Sequence, residues 1–170
     1  MFFVMDFVAL LSGGKDSCSN IYLSIQHGHR LACVANLHPT EEGEHELNSF
    51  MYQSAGSTLI PAIADCLGVP LLRKPIKRLA NDQTLEYAVS ENTEDEVEDL
   101  YDLLAQVQQE YPRIRAVSVG AIVSNYQRHR VEAVCQRLGL VVLAYLWQRD
   151  RMELIREIVD RGFECILVKV

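Results

Sequence analysis

The chain has 170 residues, 49% of them apolar and 23% charged, a balance that fits one domain with its own core and excludes a disordered or collagen-like chain. Sixteen basic residues against 23 acidic ones give a formal net charge of -7, so a generally basic nucleic-acid binder is disfavoured and no direct nucleic-acid partner is expected. No apolar run reaches the roughly 18–20 residues of a membrane span, so no membrane partner is expected, and five scattered cysteines without a CxxC pair fit a reducing, cytoplasmic setting.

Residues 4–11 read as a buried first strand. The segment lacks the basic flank of a signal peptide, and Asp6 interrupts it. A helix is predicted over 17–27, with Cys18, Ile21, Tyr22 and Ile25 as its apolar stripe and Gly28 as its stop. A second strand follows over 31–37. Residues 48–67 carry anchors at Met51, Ser54, Ile60, Ile63 and Leu67, with Pro61 as a kink, and lead to a third strand at 69–72. Residues 74–92 are polar and irregular, as in a loop lying over the sheet.

Thr93 with Glu96 has the spacing of a capping box. The helix behind it runs to about residue 110 on a stripe of Val97, Leu100, Leu104 and Val107, and Pro112 ends it. The fourth strand is expected over 117–122. Ser124 with Gln127 repeats the cap, and Val131, Val134 and Leu138 line the next helix up to Gly139. Strand five is expected over 141–146. Asp150 with Glu153 opens a last helix through Leu154, Ile155, Ile158 and Val159 to Gly162, and 165–170 reads as a sixth strand. The alternation predicts an α/β fold, a mainly parallel sheet with helices on both faces and right-handed crossovers. A chain that stops on a bare strand reads as a single domain, 1–170, that lacks a C-terminal continuation.

The strongest chemical signal lies between the first strand and the first helix, at Ser12-Gly13-Gly14-Lys15-Asp16-Ser17. Adjacent glycines let a ligand approach the backbone, and backbone amides with a helix N-terminus hold oxyanions. Ser12 and Ser17 add hydroxyls, and Lys15 brings a point charge to phosphate. Asp16 would repel bare phosphate, so its role is Mg²⁺ binding or orientation of the loop. The hexapeptide is neither a Walker A motif nor a GxGxxG loop. The bland alternative is an ordinary strand-to-helix turn.

Other candidates sit at the ends of later strands. Asn36 is polar at the end of an apolar run, as a nucleoside contact or as a turn residue. The cluster of Glu91, Glu94, Asp95, Glu96, Glu98 and Asp99 suits either a solvated helix start or a site for Mg²⁺, ammonium or a cationic substrate. Gly120 gives room for close approach of a nucleotide. Ser124 is a cap or a substrate contact, and Arg128, ordered by Gln127, faces phosphate or a substrate carboxylate unless it is a surface arginine. Tyr145 and Trp147 either stack on a base or substrate or cover the sheet edge. Arg149 faces phosphate or pairs near Asp150.

The SGGKDS loop resembles the pyrophosphate loop of the PP-loop ATP pyrophosphatase superfamily. With Ala35-Asn36-Leu37, residues 95–101, residues 120–128 (GAIVSNYQR) and residues 143–149 (LAYLWQR), it resembles the N-terminal part of the diphthine–ammonia ligase family over essentially the whole chain. That resemblance implies a five-stranded core in the order 3-2-1-4-5, like adenine nucleotide alpha-hydrolases. It implies ATP and Mg²⁺, with ATP cleaved to AMP and pyrophosphate. The carboxyl group of diphthine on translation elongation factor 2 would be adenylated and then amidated by ammonium. Lys15, Asp16 and Arg128 are then the catalytic candidates, with Asp16 also holding the metal. Residues 12–17, Asn36 and Gly120 would bind ATP; Asp95, Glu98, Ser124, Tyr126, Gln127 and Trp147 would bind substrate. The alternatives are another PP-loop ligase, an RNA-modifying transferase and a non-catalytic nucleotide-binding module. Family chains begin near Met5 and extend well past the C-terminal residue of this one.

Overall fold

The computed structural model describes residues 3–39, 56–78 and 95–166. Five strands form one sheet in the order β3-β2-β1-β4-β5, and every neighbouring pair is parallel. The strands are β1 (Asp6–Leu10), β2 (Arg30–His38), β3 (Leu71–Pro75), β4 (Ile114–Ser118) and β5 (Val141–Leu143). The helices are α1 (Lys15–Gln26), α2 (Ile60–Leu67), α3 (Glu96–Glu110), α4 (Asn125–Leu138) and α5 (Arg151–Asp160).

The central strand β1 is apolar on both sides because helices cover both. Phe7, Ala9 and Leu11 pack with Ile21 of α1 and Ile60 and Ala64 of α2. Val8 faces the opposite layer, where Leu100, Leu103 and Leu104 of α3 meet Val131 and Val134 of α4. Helix α5 lies outside these layers, with Leu154 against Leu146 and Leu23 of α1. The parallel sheet and its two-faced cover are those expected from the alternation, and the strand order is the one the resemblance implies.

Several local expectations are corrected. The apolar stripe on α1 is rotated: Ile25 is 45% exposed while Asn20 and Ser24 are fully buried. Pro61 sits in the first turn of α2, where its missing N–H costs no helical bond, so it starts the helix and does not kink it. Strand β4 is displaced toward the N-terminus of the predicted one, which leaves residues 119–124 as a loop at its carboxyl end. On α5, Ile155 and Val159 are exposed and only Leu154 and Ile158 are buried. The N-cap of α3 is Asp95, whose carboxylate accepts from the Val97 N–H.

Some expectations fall outside the described residues: the helical segment over 48–55, most of the 74–92 loop, and Thr93 with Glu91 and Glu94. Of the sixth strand, residues 167–170 also fall outside, and Cys165 and Ile166 are in no strand.

Candidate functional site

The carboxyl end of β1 continues into Ser12–Gly14, and α1 begins at Lys15. Gly13 has φ +79°, a conformation that glycine adopts without strain. Gly14 is extended, at φ −84° and ψ 159°. The turn holds itself together: Ser17 Oγ donates to the Gly14 carbonyl at 2.9 Å, and the hydroxyls of Ser12 and Ser17 lie 3.3 Å apart. No side chain caps α1. By contrast α3, α4 and α5 are capped by Asp95, Ser124 and Asp150. The first turn of α1, like that of α2, thus has no side-chain cap, and an uncapped helix start behind a glycine turn suits an oxyanion.

Neighbouring strands fix the loop from both sides. On one side Asn36 is buried, donates from Nδ2 to the Leu11 carbonyl at 3.0 Å, and accepts from Arg73 Nε at 2.9 Å. Arg73 continues to the Ser57 hydroxyl at 2.9 Å. Both ends of the Asn36 amide are thus used in tying β1, β2 and β3 together. On the other side, Gly120 lies against the start of α1. A Cβ on it would stand 2.7 Å from the Ser17 nitrogen and 2.8 Å from the Asp16 carbonyl carbon. The room that Gly120 provides is filled by the loop itself.

Lys15 and Asp16 form an ion pair of 3.0 Å, with side chains 43% and 33% exposed. Asp16 stands at the junction of two cavities, and Lys15 lines the second of them. The first, of about 190 Å³, is walled by Ala35, Leu37, Leu100 and Leu103, with Ser12, Asn36 and Gln127 as polar groups. The second, of about 350 Å³, lies beyond the Asp16–Gly120 contact, between Lys15, residues 120–124 and α5. Asp16, Gly120, Ala121 and Gln127 border both.

Of the substrate-binding candidates, Ser124 and Gln127 line a cavity; Asp95, Glu98, Tyr126 and Trp147 line neither. Asp95 is fully buried as a cap. Glu98 accepts from both terminal nitrogens of Arg137, at 2.6 and 3.0 Å, while Arg137 stacks on Tyr101. Arg128 pairs with Glu132 at 2.6 Å and lies over the Trp147 ring at 4.9 Å, so these two candidates meet each other. Tyr145 points back along α1, stacked on His27 with its hydroxyl 2.9 Å from His29. Arg149 pairs with Glu157.

Sequence reasoning missed Asn20, Arg73 and Arg151. Asn20 sits one turn into α1 and donates to the Ser118 hydroxyl and the Leu143 carbonyl while accepting from the Tyr145 N–H. It locks α1 onto the ends of β4 and β5. A polar residue in mid-helix reads as a solvent position, and only its spacing from the loop hints otherwise.

The thiols are poorly suited to chemistry. Burial pushes Cys33 and Cys135 up to about 12, and it raises Cys18 as well. Thiolates are the reactive form, so sulfur transfer finds no activated thiol in these three. Among the described residues no group of three or more His, Cys, Asp or Glu side chains is placed to hold a metal.

The family model for the diphthamide synthase N-terminal domain matches residues 5–142. The chain is 48% identical over 166 residues to the diphthine–ammonia ligase of Schizosaccharomyces pombe, covering 98% of this chain and 27% of that protein. It is 51% identical over 154 residues to that of Saccharomyces cerevisiae, with 90% and 22% covered. Against the human protein of the same name the identity is 45% over 168 residues, with 98% and 62% covered. The chain therefore spans about a quarter of the fungal relatives and under two thirds of the human one.

Proposed function

We propose, for a chain that belongs to the diphthamide synthase N-terminal domain family, that it is the ATP-binding part of an AMP-forming ligase that amidates diphthine on translation elongation factor 2. The observation that carries this reading is the uncapped start of α1 behind Ser12–Gly14, with Asp16 bordering both cavities and Lys15 lining the second.

The first cavity, apolar with a few polar groups, suits an adenosine. Its phosphates would then lie over the α1 amides, where the helix end and Lys15 offset their charge. Asn36 serves by holding the Leu11 carbonyl, and with it the loop. Asp16 is a half-buried carboxylate at the junction, and Mg²⁺ asks for little more than one or two protein carboxylates beside phosphate oxygens and water. The donor set fits: Asp16 would hold the ion, which supplies further neutralisation of phosphate charge when bound.

In the reaction a substrate carboxylate oxygen attacks the α-phosphorus, and the bond from that phosphorus to the bridging oxygen of pyrophosphate breaks. Ammonia then adds to the acyl carbon, AMP leaves with the carbon–oxygen bond electrons, and one proton is released. A carboxylate is a poor electrophile and AMP a good leaving group, so the two-step route removes the main barrier. The chain's part is to hold both reactants in line.

The test supplies the full-length protein with ATP, Mg²⁺, ammonium and diphthine-bearing elongation factor 2, and measures AMP and protein-bound amide. Both are expected in equal amounts. AMP without amide points to another PP-loop transferase, and ATP binding without AMP to a non-catalytic module. Lys15→Ala is expected to lower AMP formation by about 100-fold or more, the scale of losing one charge-stabilising donor. Unchanged turnover would remove Lys15 from the chemistry.

A further inference from the structure

The cavity beyond the Asp16–Gly120 contact has a character of its own. Ile122, Leu154, Ile155 and Ile158 give it apolar walls, while Lys15 and Arg151 bring cations to it. Arg151 differs from the two arginines that flank α5. Arg149 and Arg161 are both held by Glu157, whereas Arg151 has no ion-pair or hydrogen-bond partner among the described residues. The α5 amides are not the attraction, because the Asp150 carboxylate already accepts from Met152 and Glu153 N–H at 2.9 Å.

The charges in this cavity are Lys15, Asp16 and Arg151, and the first two pair with each other. One positive charge is left over. A strongly hydrated polyphosphate gains nothing from isoleucine walls, and burying it there would forfeit hydration. An organic acid gains from both features: its hydrocarbon part displaces water from the walls, and its carboxylate meets a guanidinium suited to two-point binding. The position also suits an acceptor, because Asp16 at the start of α1 borders this cavity as well as the one proposed for adenosine.

We propose that this second cavity is the acyl-acceptor site, and that Arg151 binds the carboxylate of the substrate side chain with Ile155 and Ile158 against its hydrocarbon part. The proposal rests on the ligase reading and adds to it where the carboxylic acid enters. Adenosine and acid then reach the loop from the two cavities that meet at Asp16 and Gly120.

The test uses full-length protein and separates the two substrates. Arg151→Ala should raise KM for the diphthine-bearing factor at least tenfold while the Kd for ATP, measured without acceptor, stays within twofold. Arg151→Lys should recover part of that loss. Ile155→Asp, at a position 44% exposed and so tolerant of a polar side chain, should raise the same KM by placing a like charge beside the acid. A parallel fall in ATP or pyrophosphate affinity in Arg151→Ala would assign the cavity to phosphate and overturn the proposal, as would no change in KM for either variant. If the unaltered protein forms no AMP, the ligase reading has failed, and the cavity is tested by a short aliphatic carboxylate, butyrate, alone. Backbone amide shifts at 122–124 and 151–155 that vanish in Arg151→Ala would keep the cavity as a carboxylate site. Shifts elsewhere, or none, would overturn it.

Discussion

Gly120 owes its identity to a neighbour, and a left-handed backbone plays no part. Its φ is not positive, and any Cβ would press on the backbone of Asp16 and Ser17 at 2.7–2.9 Å. Backbone cannot swing aside as a flexible side chain can, so a methyl group there must push the start of α1 away from the 119–124 loop. Gly120→Ala should cost about 1–3 kcal/mol, the range for overpacking a close contact. It should also weaken ATP binding, because the displaced residues include the α1 amides. Thermal unfolding and nucleotide affinity measured on one sample check both parts. A variant as stable as the parent with unchanged ATP affinity would mean that the contact relaxes at no cost. Gly13 is the complementary case, since its φ of +79° is the demand there. The loop was legible in the sequence as a hexapeptide, but the division of labour between its glycines and Gly120 was not. That division depends on which strand end lies beside which.

Among the elements, helices α4 and α5 announced themselves through caps and periodic apolar residues and α3 through its apolar stripe, its N-cap being Asp95, and Gly139 and Gly162 mark stops that the structure keeps. Helix α1 did not, because it buries polar residues for a reason that lies a hundred residues away. Asn20 reaches Ser118 Oγ at 2.7 Å, the Leu143 carbonyl at 2.8 Å and the Tyr145 N–H at 2.8 Å. Hydrophobic periodicity sees only one element at a time, so it assigned the α1 face to Ile25 and missed Asn20. Strand ends were misplaced for a related reason. In residues 117–122 apolar character continues past the end of β4, since Val119 and Ala121 of the loop are themselves buried in the core. Asn20→Ala should destabilise the fold by about 3 kcal/mol, as it strands buried donors and acceptors that each cost ~1–3 kcal/mol. Asn20→Asp should be worse at neutral pH, because a carboxylate cannot donate to Leu143 and brings a buried charge. Urea midpoints for the two variants give the order. An Asp variant more stable than the Ala variant at pH 7 would show that the donated bonds matter little.

At the scale of the molecule, α1 joins two ends with different chemistry. Its first turn carries the proposed phosphate site at the carboxyl ends of the strands. Its last turn leads into His27 and His29, where Met5 N–H donates to His29 Nδ1 at 3.3 Å and Nε2 faces the Tyr145 hydroxyl at 2.9 Å. This arrangement needs a neutral His29 with its proton on Nε2. Burial, and then the neighbouring His27, hold its imidazole below the ordinary value of 6.5. The unfolded chain therefore takes up a proton before the folded one does as pH falls. The stability that His29 contributes is complete above about pH 6.5 and is lost as pH drops from there through the lower folded value. Protonated Nδ1 cannot accept from Met5, so the hydrogen bond at the entry to β1 is the contact that fails. Unfolding by urea at pH 7.5 and at pH 5.5 should show a lower midpoint at the acid value, and His29→Gln should flatten the difference. The ATP affinity of the protein that remains folded should not follow the same titration, because the histidines sit at the far end of α1 from Lys15. A stability that rises toward pH 5.5, or a slope unaltered in His29→Gln, would remove His29 from this role.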